Sequence, residues 1–180
     1  TTMALYTGSR LMKHILSPTM QRDLLTNVQE GDSQPNAVDL RVQDIFALKD
    51  ETFILTDDKK THRGSEKINV DENGMFCLEP GVYEIIMENN VTIPEGYAGW
   101  VITRSTLNRN GCHITSGLYD SGYSGVMAGL LHVAHGPAAI QRGSRVGQFL
   151  MFEAETLSLY DGDYGVGKSH DAKYGEKNGN

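Results

Sequence analysis

Residues 76–111 read FCLEPGVYEIIMENNVTIPEGYAGWVITRSTLNRNG. Apolar or alternating runs at 75–78, 83–87 and 99–103 are separated by Pro80-Gly81, Asn89-Asn90, Pro94-Glu95-Gly96 and Asn110-Gly111. Alternation with period two places side chains on opposite faces of a strand, and Gly, Pro and Asn punctuate turns. The same grammar extends outward to VDLRV (38–42), 45–48, 52–55, 113–118, 126–133 and 145–152. Many short strands with regular turns predict a mainly β fold, a sandwich or barrel. The polar stretch 56–74 reads as a mobile excursion or hairpin tip. Upstream, Met3, Leu5, Leu11, Met12, Ile15 and Leu16 predict a short N-terminal helix from about Ser9, stopped by Ser17-Pro18. The tail 161–180, DGDYGVGKSHDAKYGEKNGN, is Gly-rich and polar and reads as flexible. The expected organisation is one β domain over 1–160 and a tail over 161–180.

The chain has 180 residues, 39% hydrophobic and 22% charged, as expected of one soluble domain with a real core. No apolar run approaches a membrane span, and no signal peptide is read at the start. Cys77 and Cys112 form neither a disulfide framework nor a zinc pattern; they read as buried small hydrophobes in a reducing, cytoplasmic setting. The net charge of −7 argues against nucleic acid as a partner. Its distribution is uneven. Residues 101–150 hold Arg104, Arg109, Arg142 and Arg145 against Asp120 alone, a local net of +3 that suits a small anion.

Several segments carry potential chemistry. The run GDYGVGKS (162–169) satisfies the letters of a phosphate-binding P-loop, but no apolar strand leads into it and no helix follows, so that reading is rejected. His113, His132 and His135 lack a nearby carboxylate or cysteine to complete a metal set. Asp120, in GLYDSGYSG (117–125), is an isolated carboxylate between glycine turns. By itself it reads equally as a turn cap.

Taken together with PNAVDLR (35–41), RSTLNRNG (104–111) and QRGSRVGQFLMF (141–152), GLYDSGYSG resembles, in order and spacing, the motifs of the dUTPase and dCTP deaminase superfamily. The stretch quoted first is similar to that family's central segment, and the resemblance runs from about Ala4 to DAKYG (171–175). It is nearest the archaeal-type dUTPases, which share the deaminase-like framework. It implies a distorted β-barrel or jelly roll assembled as a homotrimer, with three sites at subunit contacts. It also implies a pyrimidine deoxynucleoside triphosphate as substrate, with Mg²⁺.

Two reactions occur in the family, and they need different acids. In the hydrolases an Asp in the third motif activates water, and Asp120 matches it. The deaminases use a Glu about ten residues on, where this chain has Leu130, and no Asp or Glu occurs from 121 to 152. The expectation is therefore a dUTP pyrophosphatase. The alternatives are a dCTP deaminase or bifunctional enzyme, a hydrolase of dCTP or a modified pyrimidine nucleotide, and a non-enzymatic nucleotide sensor.

The roles the resemblance implies are specific. Asp120 holds the attacking water. Ser105, Thr106, Arg104 and Arg109 face phosphate oxygens, guanidinium forks suiting that geometry. Gln148 places phosphates or water. Tyr123 stacks under the deoxyribose and leaves no room for a 2′-hydroxyl. The hairpin of His113, Ile114, Thr115, Ser116 and Gly117 reads the base through backbone groups. Asp39 supports Mg²⁺ through water or braces the trimer, the triphosphate supplying most metal ligands. In the tail, Tyr164 or Tyr174 covers the base, and Lys168 or Lys173 reaches the phosphates. The tail lacks the RGxxGFG-type ending usual in dUTPases.

Overall fold

A computed structural model describes residues 23–175. The N-terminal helix expected around Ser9–Leu16 lies outside the described residues.

The described residues form eleven strands: β1 (Val38–Leu48), β2 (Ile54–Leu55), β3 (Lys60–Thr61), β4 (Ser65–Lys67), β5 (Met75–Leu78), β6 (Gly81–Thr92), β7 (Tyr97–Thr103), β8 (Cys112–Thr115), β9 (Ser124–Val133), β10 (Ala138–Gln141) and β11 (Arg145–Glu153). A short helix α1 (Ser105–Arg109) follows β7, and a 3₁₀ helix spans Ser169–Tyr174. The main sheet runs β7-β11-β1-β6-β9-β8, with β4 also on β1. Its pairings are antiparallel.

The two edges of this sheet nearly meet. Gly99 on β7 and Tyr119, just past β8, exchange both backbone bonds, at 3.0 and 2.7 Å. The Thr103 hydroxyl completes the seam, donating to the Ile114 carbonyl at 2.9 Å and accepting from its N–H at 2.8 Å. Bonding the edges to each other removes unpaired strand groups from solvent and gives a nearly closed barrel. Strands β5 and β10, distant in sequence, form a separate two-stranded piece, as does the β2–β3 hairpin.

Alternation sends Leu40, Ile85, Met87, Met127, Leu131, Phe149 and Met151 into the barrel, each at most 1% exposed. A bulge between Val42 and Asp44 reverses the parity of β1. Ile45 therefore joins the interior, while Phe46 turns to the outer face beside Ile86 and Val126.

The segments expected at 38–42 and 45–48 are one strand joined by that bulge. Asn89-Asn90 is no turn: β6 runs through it. Asn89 is fully buried, accepting from the Arg41 N–H at 3.3 Å and donating to the Thr26 carbonyl at 2.7 Å. The amide patches backbone groups left open by the β6 irregularity, so it belongs inside despite its turn propensity. Strand β10 and helix α1 were not anticipated. Cys112 is buried as expected, but Cys77 is exposed on β5. Among the described residues no helix is long and apolar enough to cross a membrane.

Candidate functional site

Two adjoining cavities open on the outer face of β6 and β9. The first, about 610 Å³, has an inner wall of Glu84, Val126 and Ala128, with Tyr119 and Tyr123 beneath and tail residues above. The second, about 550 Å³, contains Asp120 and the connecting segment 154–162. Leu118, Tyr160 and Gly162 line both, so the two share a wall.

The tyrosines form the floor. Tyr123 is 5% exposed, with ring centroids 5.1 Å from Tyr119 and 5.3 Å from Tyr160. Its hydroxyl donates to the Val126 carbonyl at 2.6 Å. Burial raises the phenol pKa well above its ordinary value, so it stays a neutral donor. Asp120, by contrast, is exposed at the turn, and among the described residues its carboxylate has no hydrogen-bond or ion-pair partner. The turn is braced around it: the Tyr123 N–H donates to the Asp120 carbonyl at 3.0 Å, and the Ser121 hydroxyl bonds to the Tyr97 carbonyl and to Thr156.

The described tail, residues 161–175, lies across the first cavity. The Val166 N–H donates to the Ser124 carbonyl at 2.9 Å. A Cβ on Gly125 would meet the Gly165 Cα at 2.7 Å, so only glycines permit this approach. GVGKS is thus a docking strip against β9, with Gly165 making the close contact. Asp171, 2% exposed, accepts from the Gly165 N–H at 2.7 Å and lies 3.1 Å from His170 Nδ1.

Tyr164 and Tyr174 of the tail line the cavity. Lys173 Nζ sits 3.0 Å from the Glu84 carboxylate, and Lys168 Nζ 3.8 Å from Asp161. Both lysines therefore have acidic partners within the chain. Tyr174 packs edge-on to Phe46 at 6.3 Å. Burial, then the Glu84 carboxylate, push its phenol pKa up.

The expected base-reading hairpin is only partly present. Gly117 lines the cavity; His113, Ile114, Thr115 and Ser116 do not. The Ile114 N–H and carbonyl are both bonded by Thr103. Thr115 is paired with Leu130 in the ladder, and Ser116 Oγ accepts from the Val101 N–H at 3.0 Å. His113 packs edge-on against His132, 4.9 Å between centroids. Closing the barrel consumes these groups, which spacing along the chain does not reveal.

The remaining residues form a second constellation, and none of them lines either cavity. Asp39 on β1 pairs with Gln148 on β11, which pairs with Ile102 on β7. Asp39 is fully buried; its Oδ1 accepts from Gln148 Nε2 at 3.0 Å and lies 3.4 Å from Arg104 Nε. Its Oδ2 accepts from Arg145 at 3.2 Å. Both Asp39 oxygens are thus engaged within the chain, where the carboxylate braces Gln148, Arg104 and Arg145. Ser105, Thr106 and Arg109 project from α1 and are exposed.

Three of the four arginines in 101–150 have acidic partners within the chain. Arg104 and Arg145 neutralise Asp39, and Arg142 pairs with Asp44 at 3.2 Å. Among the described residues, Arg109 alone of the four has no acidic partner. The described residues also gather no cluster of three His, Cys, Asp or Glu suited to a resident cation.

Sequence reading missed Lys60, His62, Glu84, Tyr160, Asp163 and His170, all of which line the first cavity. No local signal marks them, since they come from distant segments.

Comparison with known proteins agrees with this architecture. The family described as dCTP deaminase-like matches residues 6–154. A probable deoxyuridine 5′-triphosphate nucleotidohydrolase of Aeropyrum pernix is 39% identical over 152 residues, covering 79% of this chain and 94% of that protein. One of Methanopyrus kandleri is 35% identical, covering 84% and 99%. The deoxyuridine 5′-triphosphate nucleotidohydrolase of Methanocaldococcus jannaschii is 29% identical, covering 83% and 97%. Among solved structures, the 2′-deoxycytidine 5′-triphosphate deaminase of Agrobacterium tumefaciens shares the fold, with a TM-score of 0.62 at 18% identity, over 78% of this chain. The chain spans about half the length of that deaminase (48%). A match over most of the sequence, on a barrel of the expected kind, places the chain in the dCTP deaminase-like family.

Proposed function

We propose that the protein is a dUTP pyrophosphatase, which hydrolyses dUTP to dUMP and pyrophosphate. The observation that carries this reading is Asp120, an exposed carboxylate without a partner among the described residues, in a cavity that adjoins a tyrosine-floored pocket. A carboxylate left open to solvent beside a substrate pocket is placed to take a proton from water. Asp120 orients one water and accepts its proton as the water oxygen bonds to phosphorus. The bridge between the α and β phosphates breaks, pyrophosphate leaves with the bonding pair, and the proton passes to solvent.

The nucleoside lies in the 610 Å³ cavity, the deoxyribose on Tyr123, where the buried ring leaves no room for a 2′-hydroxyl. Tyr164 and Tyr174 cover it. Mg²⁺ arrives on the triphosphate.

The phosphate-facing residues Arg104, Ser105, Arg109 and Gln148 belong to the second constellation, outside these cavities. A neighbouring copy therefore supplies them, in a homotrimer with sites at subunit contacts. This explains why α1 carries exposed Ser105, Thr106 and Arg109 away from Asp120. Asp39 fixes Arg104 and Gln148 from behind, so it positions without touching substrate.

Deamination is disfavoured by the same wall. Glu84 lies directly across from Leu130 in the β6–β9 ladder, but its carboxylate is engaged by Lys173.

The test is product analysis with Mg²⁺ and dUTP or dCTP. Release of dUMP and pyrophosphate supports the reading; ammonia from dCTP replaces it with a deaminase, and binding without turnover replaces it with a sensor. Mixing Asp120→Asn and Ser105→Ala chains tests the shared site. Each alone is impaired, and co-assembled chains regain activity if the two residues act across a subunit contact. Failure of the mixture to exceed its components would place both in one chain.

A further inference from the structure

The excursion between β1 and β5 contributes a wall to the first cavity. Its β2–β3 hairpin carries Lys60, and His62 follows directly. Both line the cavity opposite Glu84 and Ala128. Lys60 Nζ lies 2.5 Å from Asp163 Oδ2 in the tail. The His62 ring sits 4.6 Å from His170 and 6.4 Å from Tyr164, while Tyr164 and His170 meet edge-on at 4.9 Å. The tail is thus held from two sides: on the sheet by Lys173 and Glu84, Tyr174 and Phe46, and Val166 and Ser124; and from outside by the excursion. The sheet-side contacts dock the end of the tail. The outer contacts close the remaining span over the cavity.

We propose that Lys60 and His62 are positioning residues that clasp the tail over the bound nucleotide, and that acid releases the clasp. This rests on the first cavity being the nucleotide pocket. The charged and titratable groups around His62 are His170, Lys173 and Lys60, which oppose its protonation, and Asp163, which favours it; Tyr164 and Phe53 contribute ring faces. Around His170 stand Asp171, Tyr164, Tyr174 and His62. Burial, then those cations, hold the His62 pKa below its ordinary value while the tail is closed. Opening returns it to about 6.5. The open state then binds more protons, so closure is full above that value and weakens as pH falls below it.

The experiment combines steady-state kinetics on Mg²⁺-dUTP with hydrogen exchange of residues 160–174 in the full chain, corrected for the intrinsic pH dependence of exchange. His62→Ala is expected to raise KM by about two- to tenfold, the worth of one aromatic contact, with kcat nearly unchanged and faster tail exchange. Lys60→Glu does the same, and Lys60→Glu combined with Asp163→Lys restores both readouts. His62→Phe keeps the ring contact and abolishes the rise in KM and tail exchange between about pH 7.5 and pH 5.5. Unchanged tail exchange in His62→Ala and Lys60→Glu overturns the clasp. An undiminished acid response in His62→Phe overturns its release by His62. If the wild-type protein leaves dUTP intact yet its tail exchange responds as expected, the clasp stands and the pyrophosphatase reading fails.

Discussion

Two aspartates divide the molecule's polar chemistry. Asp39 is fully buried, and Gln148, Arg104 and Arg145 surround it. Asp120 is exposed, with no side-chain partner among the described residues. A buried carboxylate persists only if its charge is paired and its lone pairs are bonded. A catalytic carboxylate must instead keep a lone pair free. The difference matches the proposed roles of brace and base, and it comes from position: Asp39 lies near the start of β1 within the sheet, Asp120 on a turn beside the second cavity. Sequence motifs mark both acids without telling these states apart.

The contrast can be broken by mutation. Asp120→Asn is expected to lower kcat by about 10²- to 10⁴-fold, the usual worth of a general base, with an unchanged melting temperature. Loss of stability with retained activity would exchange the roles of the two aspartates. Asp39→Ala is expected to cost about 3 kcal/mol of unfolding free energy in denaturant titration, because it strands Arg104 and Arg145 beside a buried site. Full stability in that variant would show that solvent satisfies both cations.

Smaller effects sharpen the picture at the tail. Gly125→Ala drives a Cβ into the Gly165 backbone and is expected to undock the tail. KM should rise with a stability loss of about 1–2 kcal/mol, read by kinetics and thermal melting together. Tyr123→Phe removes one hydrogen bond, to the Val126 carbonyl, and should cost about 1 kcal/mol in stability while keeping the ring that faces the sugar. Discrimination against UTP should survive in that variant. Its loss would place the selection in the hydroxyl and not in the ring.

The fold was largely legible because strand alternation and turn residues are local signals. Runs around 83–87, 99–103, 126–133 and 145–152 all became strands of the barrel. The exceptions have physical causes. Asn89-Asn90 carries turn residues, yet a buried bulge needs an amide at that point. The basic segment 101–150 promised an anion patch, but Asp39 and Asp44, far upstream, take three of its four arginines. Among the cavity tyrosines, Tyr123 was marked by a motif and Tyr164 and Tyr174 by being the aromatics of the tail, whereas nothing marked Lys60, His62 and Glu84. Their segments meet the tail only when the chain folds.

The sequence by itself determined the β character, the motif residues available for chemistry and the absence of a carboxylate at Leu130. These depend on residue type and on spacing within a few positions. Only the tertiary structure decided which acid is neutralised, which backbone groups closing the barrel consumes, and which distant side chains wall the pocket. Those outcomes depend on contacts between residues tens of positions apart, and a hydrogen bond or ion pair at 3 Å is set by sheet register and bulges, which no local pattern encodes.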